Sequence, residues 1–336
     1  MCNSDDYLKV YQQITSRLKN RNFFKKASPS ESIKSYNNLL NTLVDNGEYE
    51  YSGLVTVALA KCEAQEKNSV MEASYYCRAA RFFFRHQRQL DDVKSPSYSE
   101  CGELGIKCLS VAIQMYLEMN QPSMAASLYY ELAYFELETN RVAEASQHFI
   151  RAATLQQNKD AAMFSILSLK KSLECDIREK SFEHATQLLQ WIIKLAVEQS
   201  TLNEDVLCTD IKIECLISMI LIAILQKDYS QARLLNEHAQ KEYYRTQNFE
   251  GIEEISRGYL GRRHGRTHNA GILTLYNDMH FMNQQFFDLI EYLIYAVEWS
   301  IEKEVIQVRD ELCEVLTPIQ KELLRCISQQ VFMTFN

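Results

Sequence analysis

Apolar residues along this chain return every three or four positions, the period that gathers them on one face of an α-helix, and short polar breaks divide the pattern into successive stretches. Helices are predicted over 5–20, 29–46, 48–66, 69–90, 98–119, 121–138, 141–157, 160–179, 181–199, 204–226, 228–247, 279–297 and 299–316, with a last one headed by Thr317 and Pro318. The boundaries carry chemical signals. Ser28, Pro29 and Glu31 supply an N-cap, a first-turn proline and a capping-box acid, and Gly47 can close that helix in the left-handed conformation. Ser69 with Glu72, and Thr317 with Pro318 and Gln320, offer further N-caps. β-Branched residues rarely alternate with polar ones, so no strand is predicted.

A six-residue pattern recurs just after helix ends: a polar residue, any residue, a larger residue, two variable residues and alanine. It occupies Asn120 to Ala125, Asn140 to Ala145, Lys180 to Ala185 and Lys227 to Ala232. A small residue near the start of a helix lets its antiparallel neighbour approach closely. Leu132, Ala133, Ala145, Phe149 and Ala152 match the small and large positions of a tetratricopeptide (TPR) repeat, whereas the spacing elsewhere wanders. The expected fold is all-α, an irregular TPR-like right-handed solenoid of about 13–14 antiparallel helices spanning 1–336. A candidate joint lies at 91–97.

Composition narrows the function. Only 9 glycines and 4 prolines punctuate 336 residues, which fits long helices and tight turns. A net charge of −8 repels polyphosphate and favours a protein partner over nucleic acid. The 10 cysteines are irregularly spaced and include no C-x-x-C, the pattern of reduced thiols in a cytoplasmic protein. The polar, acidic opening from Met1 to Asp6 lacks the order of a signal peptide. The most apolar run, Leu216 to Leu225, is too short to span a bilayer and reads as a core helix, so no membrane insertion is expected.

Charge is polarised along the chain. The segment from Arg17 to Lys26 is basic and holds Phe23 and Phe24, which mark it as a candidate contact for an acidic partner. The C-terminal helices, 279–336, are acidic, and Glu302, Glu304, Glu311 and Glu314 are candidate partner-binding residues. Between them, 248–271 is rich in glycine and basic residues and is expected to be a mobile loop. His264, His268 and His280 could in principle share a metal ion, but Gly265 breaks the helix that their spacing would need. Cys101 with Cys108, and Cys208 with Cys215, each share a helix face and read as small buried hydrophobes. No G-x-S-x-G, phosphate-binding glycine loop, H-E-x-x-H or dinucleotide fingerprint occurs, so no catalytic residue, metal or cofactor is expected. The aromatic clusters Tyr75, Tyr76, Phe82, Phe83, Phe84 and Tyr129, Tyr130, Tyr134, Phe135 are too wide for one buried stripe; most rings belong to the core and the surplus suits an interface.

Five segments carry a family likeness: DYLKVYQQITSRLKNRNFFKK from Asp6, EASYYCRAARFFFRHQR from Glu72, VAIQMYLEMNQPSMAASLYYELAYFELETNRVAEASQHFIRAATLQ from Val111, LLNEHAQKEY from Leu234 and LTPIQKELLRCISQQV from Leu316. Together, and in this order, they resemble the huntingtin-associated family of TPR-like proteins. The resemblance implies a non-enzymatic helical partner clamped between the HEAT-repeat lobes of huntingtin, each stabilising the other as a heterodimer. It also implies a link to early-endosome motility through a Rab-five-type small GTPase. The alternative is a SNAP-like helical adaptor in vesicle trafficking with a different partner.

Overall fold

The computed structural model describes residues 4–19, 29–94, 100–157, 162–203, 206–247 and 284–333. Among these the secondary structure is entirely helical. The helices are α1 (Ser4–Lys19), α2 (Pro29–Asp45), α3 (Tyr49–Gln65), α4 (Ser69–Asp92), α5 (Glu100–Glu118), α6 (Pro122–Glu138), α7 (Val142–Leu155), α8 (Ala162–Arg178), α9 (Phe182–Asn203), α10 (Val206–Leu225), α11 (Tyr229–Gln247), α12 (Gln284–Glu298), α13 (Glu302–Leu312) and α14 (Pro318–Met333). They fall in two compact units, Met1–Gln156 and Gln157–Asn336. The all-α, TPR-like expectation holds, and most predicted boundaries agree to within a few residues.

One turn does most of the joining. Asn120, Asn140, Lys180 and Lys227, the first residues of the six-residue pattern, all adopt left-handed φ between +57° and +61°. In each case the next residue's N–H reaches back to close the preceding helix: Gln121 to the Tyr116 carbonyl at 2.8 Å, Arg141 to Glu136 at 2.8 Å, Ser181 to Asp176 at 2.8 Å, and Asp228 to Ala223 at 2.9 Å. This is the Schellman closure, which satisfies carbonyls that a helix end leaves bare. The pattern's last residue then makes the first bond of the following helix, as in Ala125 N–H to the Gln121 carbonyl at 3.2 Å. Ala125, Ala145, Ala185 and Ala232 are fully buried there, so the turn and the close helix contact form one unit. The same turn recurs at Gly47, Lys67 and Ser300, where Ser52, Glu72 and Val305 stand in the alanine position.

In the first unit each helix packs on its sequence neighbour, α4 on α5 included; residues 95–97 of the candidate joint at 91–97 lie outside the described residues. Its core joins Phe83, Phe84, Leu109, Ile113, Leu132 and Phe135 to a layer of alanines. Gly105 lies so close to α4 that a Cβ there would sit 2.4 Å from the Phe84 ring, and Phe84 stacks on Phe135 with ring centroids 3.8 Å apart. In the second unit the later part of α10 is apolar on nearly every side, with Ile213, Leu216, Ile217, Ile220, Leu221 and Ile224 buried against α9, α11 and α14. The run from Leu216 to Leu225 is thus a core helix, and among the described residues no helix is long and apolar enough to cross a membrane.

One expected cap is corrected. Asn68, not Ser69, caps α4: its side-chain oxygen accepts from the Met71 N–H at 3.4 Å, one residue earlier than expected. The Thr317–Gln320 capping box forms as expected, with Thr317 N–H to Gln320 Oε1 at 3.0 Å and Gln320 N–H to Thr317 Oγ1 at 3.4 Å. Ser28 lies outside the described residues.

Candidate partner-binding surfaces

Most of the aromatic clusters near 75–84 and 129–135 turn inward. Phe83, Phe84 and Phe135 are buried, and Tyr75, Tyr76, Phe82, Tyr129 and Tyr130 are half-buried. Tyr134 is exposed, beside Tyr130 and against the edge of Phe149. A further exposed aromatic surface among the described residues lies on α12 and the turn after it.

Helix α12 buries one continuous apolar face. Phe286, Phe287, Ile290, Leu293, Ile294 and Val297 face the core. On the opposite side stand Tyr292, Tyr295 and Trp299, spaced by three and four residues and so aligned along one face. Their rings form a ladder with centroids 6.4 and 6.3 Å apart, and Trp299 at its end is 66% exposed. Arg233 of α11 holds the flank of the helix through Glu291 at 3.2 Å and through Glu298. Three large rings left in water on an anchored helix are interface material, because a Trp or Tyr buries much area while losing little rotamer freedom.

The acidic candidates lie close by in sequence and differ in exposure. Glu302 and Glu304 occupy the first turn of α13, where carboxylates complement the helix dipole, and both are half-buried. Glu304 accepts a hydrogen bond from Tyr292, which raises that phenol above its ordinary pKa and ties α13 to the ladder. Its Oε2 is buried and has no close hydrogen-bond donor of good geometry among the described residues. Glu311 is exposed and receives Gln307 Nε2 at 3.3 Å; Glu314 is exposed in the turn before α14. Phe23, Phe24, the 248–271 segment and the three histidines 264, 268 and 280 lie outside the described residues.

The cysteines read as buried hydrophobes are such. Burial pushes the thiols of Cys77, Cys101 and Cys108 up to about 11 and that of Cys175 up to about 12, and the Cys215 thiol is raised further still. A thiol so raised stays protonated at neutral pH and is a poor nucleophile or metal ligand. Among the described residues no group of three His, Cys, Asp or Glu side chains is arranged to hold a metal. An apolar groove of about 240 Å³ between α1, α2 and α3 is lined by Tyr7, Leu8, Tyr11, Leu39, Leu43 and Leu54 among others, without a carboxylate or imidazole.

With these surfaces in view, the likeness to known proteins can be placed. The 40-kDa huntingtin-associated protein of Rattus norvegicus is 22% identical over 97% of this chain and 92% of its own length. This chain resembles the huntingtin-associated proteins from end to end. The counterpart from Mus musculus is 28% identical over 57% of this chain and 51% of that protein. The family model for soluble NSF attachment protein, SNAP, matches residues 92–254, which run from the end of α4 past α11. Among solved structures, BtubC from P. vanneervenii aligns with 81% of this chain and 97% of its own at 9% identity and a TM-score of 0.35. The apo form of RapI aligns with 98% of each chain at 13% identity and a TM-score of 0.27. The similarity to a huntingtin-associated protein and the match to a SNAP-type helical domain support a helical adaptor.

The exposed ladder of α12 was readable in principle, since Tyr292, Tyr295 and Trp299 repeat at helical spacing. It is obscured because Tyr292 and Tyr295 stand in sequence among six core-facing apolar residues, so the rings read as part of the core.

Proposed function

We propose that this chain is a non-enzymatic scaffold that forms a stable heterodimeric complex with huntingtin and stabilises it, and that through this complex it serves early-endosome and vesicle motility, with a Rab-five-type GTPase as a further partner. The observation that carries the reading is the Tyr292–Tyr295–Trp299 ladder, an aromatic face exposed among the described residues. The full-length similarity to proteins named for their association with huntingtin supplies the identity of the partner. Glu302, Glu304, Glu311 and Glu314, with Phe23 and Phe24, are the proposed accessory contacts, the acids adding orientation and association rate more than affinity.

The test is co-expression with huntingtin. The pair should co-elute in equal amounts, and the chain's soluble yield and melting temperature should rise in the complex. Tyr295→Ala with Trp299→Ala should weaken the complex by about 2 kcal/mol or more while leaving the isolated chain's melting temperature nearly unchanged, since both rings are already in water. Failure of the purified chains to associate sinks the proposal. The match over 92–254 favours a second reading, a SNAP-type adaptor of membrane-fusion machinery. Under that reading the purified chain binds NSF and ignores huntingtin.

A further inference from the structure

Helix α4 carries charge of one sign only between Glu72 and Asp91. Arg78, Arg81, Arg85 and Arg88 fall at spacings of three, four and three, so they line one face, and all four are exposed. They form two rows with different partners. Arg81 grips Glu131 of α6 with two parallel bonds, Nε to Oε1 and Nη2 to Oε2, both 2.8 Å. Seven residues on, Arg88 Nε meets Glu138 Oε2 at 2.7 Å. The chain itself thus shows what this stripe recognises: a neighbouring helix that offers carboxylates seven residues apart.

The second row, Arg78 and Arg85, repeats the seven-residue spacing, and among the described residues no carboxylate pairs with either. Both are instead held by rings. Arg78 lies over Phe82 at 5.5 Å, Arg85 over Tyr49 at 4.2 Å, and the two rings stack on each other with centroids 6.4 Å apart. A stacked guanidinium spends its face and keeps its edge, where the N–H donors that fit a carboxylate lie. Two such edges therefore lie about 10 Å apart along the helix, two turns at 1.5 Å per residue.

We propose that the Arg78–Arg85 row is a docking site for an acidic helix of a partner protein, whose carboxylates, two turns apart, fill the two edges as Glu131 and Glu138 fill those of Arg81 and Arg88. The ready-made carboxylate template favours this occupant over a nucleic acid. The site lies wholly within the first unit and does not depend on huntingtin being a partner.

The probe is a labelled alanine-rich helical peptide with glutamates seven residues apart, titrated against the purified full chain by fluorescence anisotropy. Binding should be saturable and fall steeply with added salt. Arg78→Gln with Arg85→Gln should weaken it about tenfold or more. The Arg78→Lys, Arg85→Lys pair should also bind several-fold more weakly, because a lysine lacks the two-pronged edge. A peptide of the same composition with its glutamates on opposite faces should bind about tenfold less well. Circular dichroism of the variants guards against misfolding. The proposal is overturned if the peptide does not bind, if folded Gln variants bind it as well as the parent chain, or if a single-stranded RNA oligonucleotide binds through the same arginines in its place.

Discussion

In the first unit helices meet through side chains that are nearly absent: Gly105 lies beneath the Phe84 ring, Gly53 beneath Phe83, and Ala79, Ala80, Ala112 and Ala133 are fully buried between larger neighbours. In the second unit the later part of the central helix is bulky on nearly every side, and half-buried polar links hold its neighbours to it. Lys170 of α8 reaches Glu214 of α10 at 2.6 Å, Lys212 of α10 reaches Glu242 of α11 at 2.9 Å, and Gln320 of α14, wholly buried, donates to the Glu214 carbonyl at 3.0 Å. The contrast teaches which kind of change each unit resists. A core built on close approach is sensitive to added volume, whereas one pinned by shielded charges is sensitive to the loss of a partner.

The largest effect should come from breaking a shielded pair. Glu214→Ala leaves Lys170 charged, 14% exposed and unpaired, and should destabilise the second unit by about 3–5 kcal/mol. Replacing both, with Lys170→Met and Glu214→Leu, should restore most of that loss, because the desolvation cost goes with the charges. Denaturant unfolding followed by hydrogen exchange reads both. A double variant as weak as the single one would contradict the argument from desolvation.

Next comes added volume. Gly105→Ala places a methyl 2.4 Å from Phe84, a ring already stacked on Phe135, and should cost the first unit about 1–3 kcal/mol. Phe84→Leu in the same chain should recover part of it by making room. Thermal melts of the three variants check this, and no recovery would mean that Ala80, whose carbonyl lies 3.2 Å from the same point, sets the limit instead.

The turns should respond alike in both units. Asn120→Gly in the first and Lys180→Gly in the second relieve a left-handed side chain, and each should stabilise by about 1 kcal/mol in melting experiments. A gain confined to one unit would show that the turns are not interchangeable.

Much of this architecture was legible because the helix signals are local. Asn120, Asn140, Lys180 and Lys227 sit where a helix must stop, and the alanine five residues later marks the next contact. The copies at Gly47, Lys67 and Ser300 escaped notice because serine, glutamate or valine replaces that alanine, while the backbone bonds are unchanged. The surfaces were harder to read. Exposure of Tyr292, Tyr295 and Trp299 depends on which side of α12 meets its neighbours, and the arginines of α4 sort into two rows only once Glu131, Glu138, Tyr49 and Phe82 are placed around them. Those are long-range facts that no local pattern contains.

The smallest expected effect is also the one in which the units oppose each other in sign. Burial raises the carboxyl of Glu72, at the head of α4, above its ordinary 4.5, so its charged form opposes folding and the penalty lifts as the pH falls through the folded value. Glu242 behaves the other way. Burial pushes it upward, but the hydrogen bond and charge of Lys212, with Arg245 and His238, outweigh burial and hold it below 4.5. Its contribution is therefore complete above 4.5 and is lost as the pH falls through its folded value. Acidification toward pH 4 should thus favour α4 in hydrogen exchange before it loosens the α10–α11 contact. Glu72→Gln should flatten the first trend and Glu242→Gln the second. A Glu242→Gln chain that still loosens at α11 with the same acid profile would place the titrating group elsewhere in the second unit.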